Sequence, residues 1–420
     1  MLFSHGKERV TSQTGPKRYL HSPLRPTCWR LFGRNRRRAA SLLLRSISGS
    51  RWERNWCVVV LPTFPEMAVD LGTSVKDLSA TLASFFVAFA LGQLFVGPLS
   101  DRYGRKPLLL GGIAVFVTGS ALCAWSDNLL QLIAGRIVQA LGVCATSVLS
   151  RAIARDLFQG EALARTLSLI MVAMAAAPGF SPMLGGAMSA WLGWRSTFAV
   201  LAVLALLLGV HYLASLGETH RLDRRAPLSV PAVLRSYASL LVDRRFIAPA
   251  LSVSLVIGSL YMFFSMAPAI LMTGFGFSPL GLSVFFASTV LVVFAAGFLA
   301  PRLARRRGQI PVARGGLRTA LVGGAALLAG PHDVVHFSVA MTIFLLGMGL
   351  INPLGTAIAL QHFGHQAGAA SALLGFLQMM CAAAAIGLAA WLPWSVYGAF
   401  CTVLTVNLGL ALVSFRGART

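Results

Sequence analysis

The sequence predicts an all-α membrane protein, and three observations carry that prediction. The first is composition: of 420 residues, 56% are hydrophobic and only 12% charged, with a mean hydropathy of +0.73. Soluble chains carry about a quarter charged residues, and a soluble body this apolar would expose patches that aggregate. An ordinary cytosolic enzyme, a secreted disulfide scaffold and a disordered binder are thereby excluded. The second is length: from Asp77 onward, eleven apolar runs come close to the roughly 20 residues a helix needs to cross a bilayer. The third is charge placement. Of 22 Lys/Arg after residue 96, 20 stand in alternate loops, and such basic loops face the cytoplasm.

The runs fall at about 78–99, 107–126, 129–150, 166–190, 196–216, 247–271, 279–300, 311–330, 334–358, 367–392 and 394–414. A twelfth candidate, Trp56–Val69, is short and contains Pro62, Pro65 and Glu66. If it spans, there are twelve spans with both termini inside. The Arg-rich break 217–246, with Pro227 and Pro231, separates 56–216 from 247–420, two halves of similar size. A repeat supports that division. Gly97-Pro-Leu-Ser-Asp101-Arg102-Tyr-Gly104-Arg105-Lys106 is answered 200 residues later by Gly297-Phe-Leu-Ala-Pro301-Arg302-Leu-Ala304-Arg305-Arg306.

The string GPLSDRYGRKP, 97–107, resembles the signature G-x-L-x-D-R-x-G-R-K/R after span two of the major facilitator superfamily. That resemblance implies two six-helix bundles around a central cavity. Gly97 is expected to let helices approach closely, and Gly104 to make the turn. Asp101, Arg102, Arg105 and Lys106, with Arg155 and Asp156 after span four, are expected to bridge helix ends as a cytoplasmic gate. Other strings resemble the drug:proton antiporter branch, and within it the bicyclomycin-resistance (Bcr/CflA) type. They are Gly135-Arg136-Ile-Val-Gln139-Ala-Leu-Gly142 in span four, Arg151-Ala-Ile-Ala-Arg155-Asp156 at its exit, and Ser181-Pro182-Met-Leu-Gly185-Gly186 in span five. Gly193-Trp194-Arg195, and Ala370-Ser371-Ala372-Leu373 with Gln378, fit the same type. Pro182, Gly185 and Gly186 resemble the motif that accompanies exporters, and that resemblance implies export rather than uptake. Ala140 and Ser181 replace two of the family's glycines.

An unpaired arginine mid-span costs about 2.5–3.5 kcal/mol even on insertion scales, so Arg136 should face the bundle interior or a wet cavity. Gln139 lies one turn on, and Tyr261, Asn352 and Gln378 are inward candidates elsewhere. These polar groups either line the cavity or merely link helices by hydrogen bonds. For Arg136 the resemblance implies a role in coupling proton movement to transport. No G-x-x-x-x-G-K-[ST] is present, so an ATP-driven pump is unsupported. Neither the eight histidines nor the six cysteines form a metal set. No cofactor is expected beyond the proton gradient as energy source.

The front end departs from the family pattern. Leu61-Pro62-Thr-Phe-Pro65 resembles the end of span one, yet Val58 stands where family members commonly carry an acid, and Arg51-Trp-Glu53-Arg54 stands where apolar residues should complete the span. Glu66 and Asp70 are the next candidates for proton uptake. Residues 1–55 hold 13 Lys/Arg against Glu8 and Glu53. They read as a transit peptide, a nucleic-acid-binding tail or, the favoured reading, an altered coding start that replaced half of span one. They are not expected to join the fold, and transport by the chain as written is expected to be weak.

The function expected is export of small amphipathic molecules or drugs in exchange for protons, by alternating access, with no enzymatic activity. Alternatives are a non-transporting damaged relative and an uptake symporter. The expected partners are a small-molecule substrate, protons and the lipid bilayer, with no nucleic acid. The expected form is a monomer in the inner (cytoplasmic) membrane.

Overall fold

The computed structural model describes residues 59–158, 184–215, 217–219, 230–363 and 366–417, with isolated positions 163, 166 and 181. The extension 1–55, Val58, most of span five and Pro182 lie outside the described residues. The described residues are helical, with no strand among them. A 3-10 turn at Leu61–Thr63, with Pro62 in its first positions, leads into α1 (Phe64–Asp70). Next come α2 (Ser79–Tyr103), α3 (Arg105–Ala124), α4 (Leu129–Leu157), a helical segment at 184–192 and α5 (Trp194–Ser215). The second half holds α6 (Val230–Val242), α7 (Arg244–Ala267), α8 (Pro279–Arg307), α9 (Gln309–Ala329), α10 (Val334–Leu360), α11 (Ala367–Trp391) and α12 (Val396–Phe415). Side-chain caps start several of them: Asn128 accepts from the Gln131 N–H, Ser278 from Gly281, Asp333 from His336 and Ser395 from Gly398.

Nine helices among the described residues are long and apolar enough to cross a bilayer. The run at 311–330 becomes α9, 21 residues long and outside that set, because Arg314 and Arg318 sit in its first half. The break 217–246 is not loop throughout. Residues 230–242 form the amphipathic α6, whose Tyr237 and Leu240 are buried at helical spacing while Arg235 and Ser239 face outward.

The two halves repeat one packing scheme. The α3–α4 pair is matched by α9–α10, α2–α4 by α8–α10, and α3–α5 by α9–α12. At α3–α4, a Cβ on Gly119 would strike the Gln139 backbone, and one on Gly142 would strike Phe116. At α9–α10, a Cβ on Gly323 would strike Phe344, and one on Gly347 would strike Ala320. Small residues let helix backbones touch in this way.

These pairs correct the repeat's register. The turn glycines Gly104 and Gly308, both at positive φ (+100° and +85°), and the pairs Gly112/Gly316 and Gly119/Gly323 are each 204 residues apart, not 200. A four-residue slip is about one helical turn, so it leaves the basic residues on nearly the same face and disguises itself in sequence. In the corrected register Asp101 meets Arg305 and Ser120 meets Gly324; between α4 and α10, where Gly142 answers Gly347, the offset is 205 and sets Met341 and Phe344 opposite Arg136 and Gln139. Ser120, Arg136 and Gln139 thus have no polar counterparts in the second half.

Gly142→Val should cost about 3 kcal/mol by overpacking and lower the yield of folded protein several-fold on detergent gel filtration. Gly315→Ala, which opens onto free space, should not.

Between the halves α2 packs along α11. Gln93 lies where a Cβ on Gly375 would go. The Phe86 ring of α2 lies 4.8 Å from Tyr261 of α7.

Candidate functional site

At the Arg-rich end, α2 turns into α3 through Gly104, whose φ of +100° lies in the region that glycine enters without strain. That tight turn brings Arg105 back against its own preceding helix. Arg105 is buried; its Nη1 donates to Asp101 Oδ1 at 2.6 Å and to the Ser100 hydroxyl, and its Nε donates to Asp156 Oδ2 at 3.2 Å. One guanidinium thus ties the ends of α2, α3 and α4. Glu218 accepts from the backbone N–H groups of Arg105 (2.9 Å) and Lys106 (3.2 Å), placing an anion on the free donors of a helix start. Lys106 Nζ donates to the Leu213 carbonyl of α5 at 3.2 Å.

Not every expected gate residue joins this knot. Arg102 lies over the Tyr103 ring at 5.3 Å, and Arg155 is exposed at the edge of a cavity of about 540 Å³. A Cβ on Gly97 would meet nothing within 4 Å among the described residues and would face that cavity, so the close helix approach expected of it is not seen there. The same cavity is bordered by Gln93 and Asp101 of α2, Arg151 of α4, Tyr237 of α6 and Ser371 of α11. Ser100, Glu218 and Tyr237 were not anticipated. A serine beside an acid, a lone glutamate in a loop and a tyrosine in a basic stretch carry no spacing that singles them out.

The second site is embedded in the first half. Arg136 is 3% exposed and Gln139 1%. Arg136 Nη1 donates to Gln139 Oε1 at 2.7 Å, and Gln139 Nε2 donates to Ser120 Oγ on α3 at 2.8 Å. The guanidinium carbon stands 4.6 Å from the centre of the Phe85 ring, a cation–π geometry. Phe89 stacks on Phe85 beyond it. Arg136 lies seven residues into α4, about 10 Å along the helix. The charge therefore sits at membrane depth, packed against an aromatic wall.

Tyr261, through Phe86, borders the same α2 wall. Asn352 and Gln378 are half-buried on α10 and α11, and no hydrogen bond joins either to Arg136. The structure therefore groups Arg136 with Gln139, Ser120 and Phe85, and leaves Asn352 and Gln378 in the other half.

Glu66 and Asp70 stand elsewhere, exposed beside Arg195 at the end opposite the Arg-rich one. Glu66 accepts from the Trp194 N–H at 3.3 Å and from the Ser189 hydroxyl. Asp70 accepts from Trp194 Nε1 at 2.8 Å and from Arg195 Nη1 at 3.0 Å. Arg195 also donates to the Ser126 carbonyl at 3.0 Å and lies over Trp194. The two acids fasten α1 to the start of α5. Gly185 makes a close approach: a Cβ there would strike the Val59 carbonyl. Gly186 faces Pro62 and Pro279, so segment 184–192 meets both the first turn and the start of α8.

Among the described residues no three His, Cys, Asp or Glu side chains converge on a metal position. The family model described as Major Facilitator Superfamily matches residues 57–388. A chloramphenicol resistance protein of Pseudomonas aeruginosa is 34% identical over 377 residues, 86% of this chain and 87% of that protein. A bicyclomycin resistance protein homolog of Haemophilus influenzae is 29% identical over 318 residues, 75% of this chain and 80% of that one. The crystal structure of a D-xylose-proton symporter superposes with a TM-score of 0.69 at 18% identity, covering 89% of this chain and 96% of the symporter. That likeness establishes the fold, and the helices, the repeat and the match along 57–388 together place the chain in the Major Facilitator Superfamily.

Proposed function

We propose that the chain exports small amphipathic molecules of the antibiotic class in exchange for protons. It would act as a monomer in the inner membrane with both termini cytoplasmic, the Arg-rich end facing inside. The observation that carries this reading is Arg136, a buried charge held by Gln139 against Phe85 within a spanning helix. Such groups are kept in membranes where they serve a pathway or a relay. Relatives named for chloramphenicol and bicyclomycin resistance supply the substrate class. The second half lacks counterparts to Arg136 and Gln139, so proton coupling is assigned to the first half. The knot of Arg105, Asp101 and Asp156 would close the cytoplasmic end during the cycle.

The test uses cells expressing the chain, loaded with labelled chloramphenicol. Lower accumulation that disappears when a protonophore collapses the gradient is the expected result. Raised accumulation would make the chain an uptake symporter. Unchanged accumulation of both chloramphenicol and bicyclomycin would overturn the export reading.

A further inference from the structure

The halves are joined at the Arg-rich end by a hydrogen bond that a proline makes available. Pro98 lies inside α2 and has no N–H, so the carbonyl four residues back, that of Leu94, has no helical donor. A buried carbonyl without a donor is costly. Tyr237 of α6 supplies one: its hydroxyl donates to the Leu94 oxygen at 2.9 Å. The Tyr237 ring belongs to the other half. It packs with Leu240, with Phe246 and Ala250 of α7, with Ala359 of α10, with Phe363, and with Ala370, Leu373 and Leu374 of α11. Leu94 touches that cluster only from its margin. The ring is thus fixed to one half and its hydroxyl to the other. Burial raises the phenol's pKa, so it remains a donor throughout the physiological range. Beside this bond lies the 540 Å³ cavity, bordered by Gln93, Tyr237 and Ser371, which separation of α2 from α11 would enlarge.

We propose that Tyr237 is a positioning residue of the transport cycle: its bond to the Leu94 carbonyl clasps the halves together at the Arg-rich end and must break each time that end opens. The proposal rests on the transporter reading, but its test reads conformation and needs no substrate. All native cysteines are replaced by alanine in the full chain, Ser371→Cys is introduced, and the protein is placed in nanodiscs so that both faces meet solvent. The rate of reaction with a membrane-impermeant maleimide reports how often the cavity opens.

Tyr237→Phe keeps the ring and removes only the hydroxyl. It should raise the rate about three- to tenfold, the factor one neutral hydrogen bond is worth. Pro98→Ala returns a helical donor to Leu94, so in that background Tyr237→Phe should change the rate less than twofold. An unchanged rate in the single variant overturns the proposal, as does an equal factor in both backgrounds. A parallel rise at Val242→Cys, 82% exposed on α6 and outside the cavity, would mark general loosening and overturn it too. Loss of drug export with the expected labelling pattern would leave the clasp standing and count against the substrate assignment alone.

Discussion

Arg136→Lys is expected to slow proton-driven efflux more than tenfold while the protein still reaches the membrane. The guanidinium donates to Gln139 and lies against Phe85 at the same time. A lysine ammonium keeps the charge but not the planar face that allows both contacts. A buried hydrogen bond from a charged group is worth about 1.5–3 kcal/mol, a factor of roughly ten to a hundred and fifty. The measurement is the initial rate of chloramphenicol efflux at equal membrane expression. Arg136→Gln separates coupling from mere helix tying, since a glutamine still hydrogen-bonds; substantial transport by that variant would reduce Arg136 to a tie.

The second large effect is expected at Arg105 rather than at Asp101. The Arg105 side chain is 9% exposed and holds both carboxylates, whereas the Asp101 side chain is 53% exposed. Arg105→Ala removes both ion pairs and the Ser100 contact at once and unties α3 from α2 and α4; the better-shielded Asp156 bond alone is worth about 1.5–3 kcal/mol as a charged hydrogen bond. Asp101→Asn removes a half-exposed partner, worth about 1 kcal/mol, and Arg105 keeps Asp156 and Ser100. Transport should therefore be nearly abolished in the first variant and fall only a few-fold in the second. The opposite order would mean that Asp101 acts on something other than Arg105.

The all-α membrane class, the motif at 97–107 and the placing of Arg136 within a span were legible because each is written in residue type and spacing. Apolar runs and alternating basic loops need no tertiary information. The Gly104 turn was legible for the same reason. What escaped the sequence depends on a partner distant along the chain. Glu218 becomes meaningful only when its loop reaches the start of α3, 112 residues away from Lys106. The contacts of Glu66 and Asp70 with Ser189, Trp194 and Arg195 likewise join residues more than 120 apart in the chain. The repeat's register was misread because charge similarity survives a slip of one turn, whereas glycine contacts between backbones do not. α6 was hidden by Pro231, Arg235 and the arginines that flank it, which drew attention away from the spacing of Val233, Tyr237 and Leu240.

The glycine contacts of α3 with α4 and of α9 with α10 also say where this molecule can deform. Two backbones in direct touch cannot slip by a residue, since the next side chain would be driven into the partner's main chain. Each pair is therefore a stiff lever, and displacement concentrates where no two backbones touch, along α2 and α11. Amide hydrogens at the glycine crossings should be among the slowest to exchange, even during turnover. Those at the Arg-rich ends of α2 and α11 should exchange in step with the cycle. A molecule built in this way works as paired rigid arms turning about a soft seam, and its speed is set by that seam rather than by the arms.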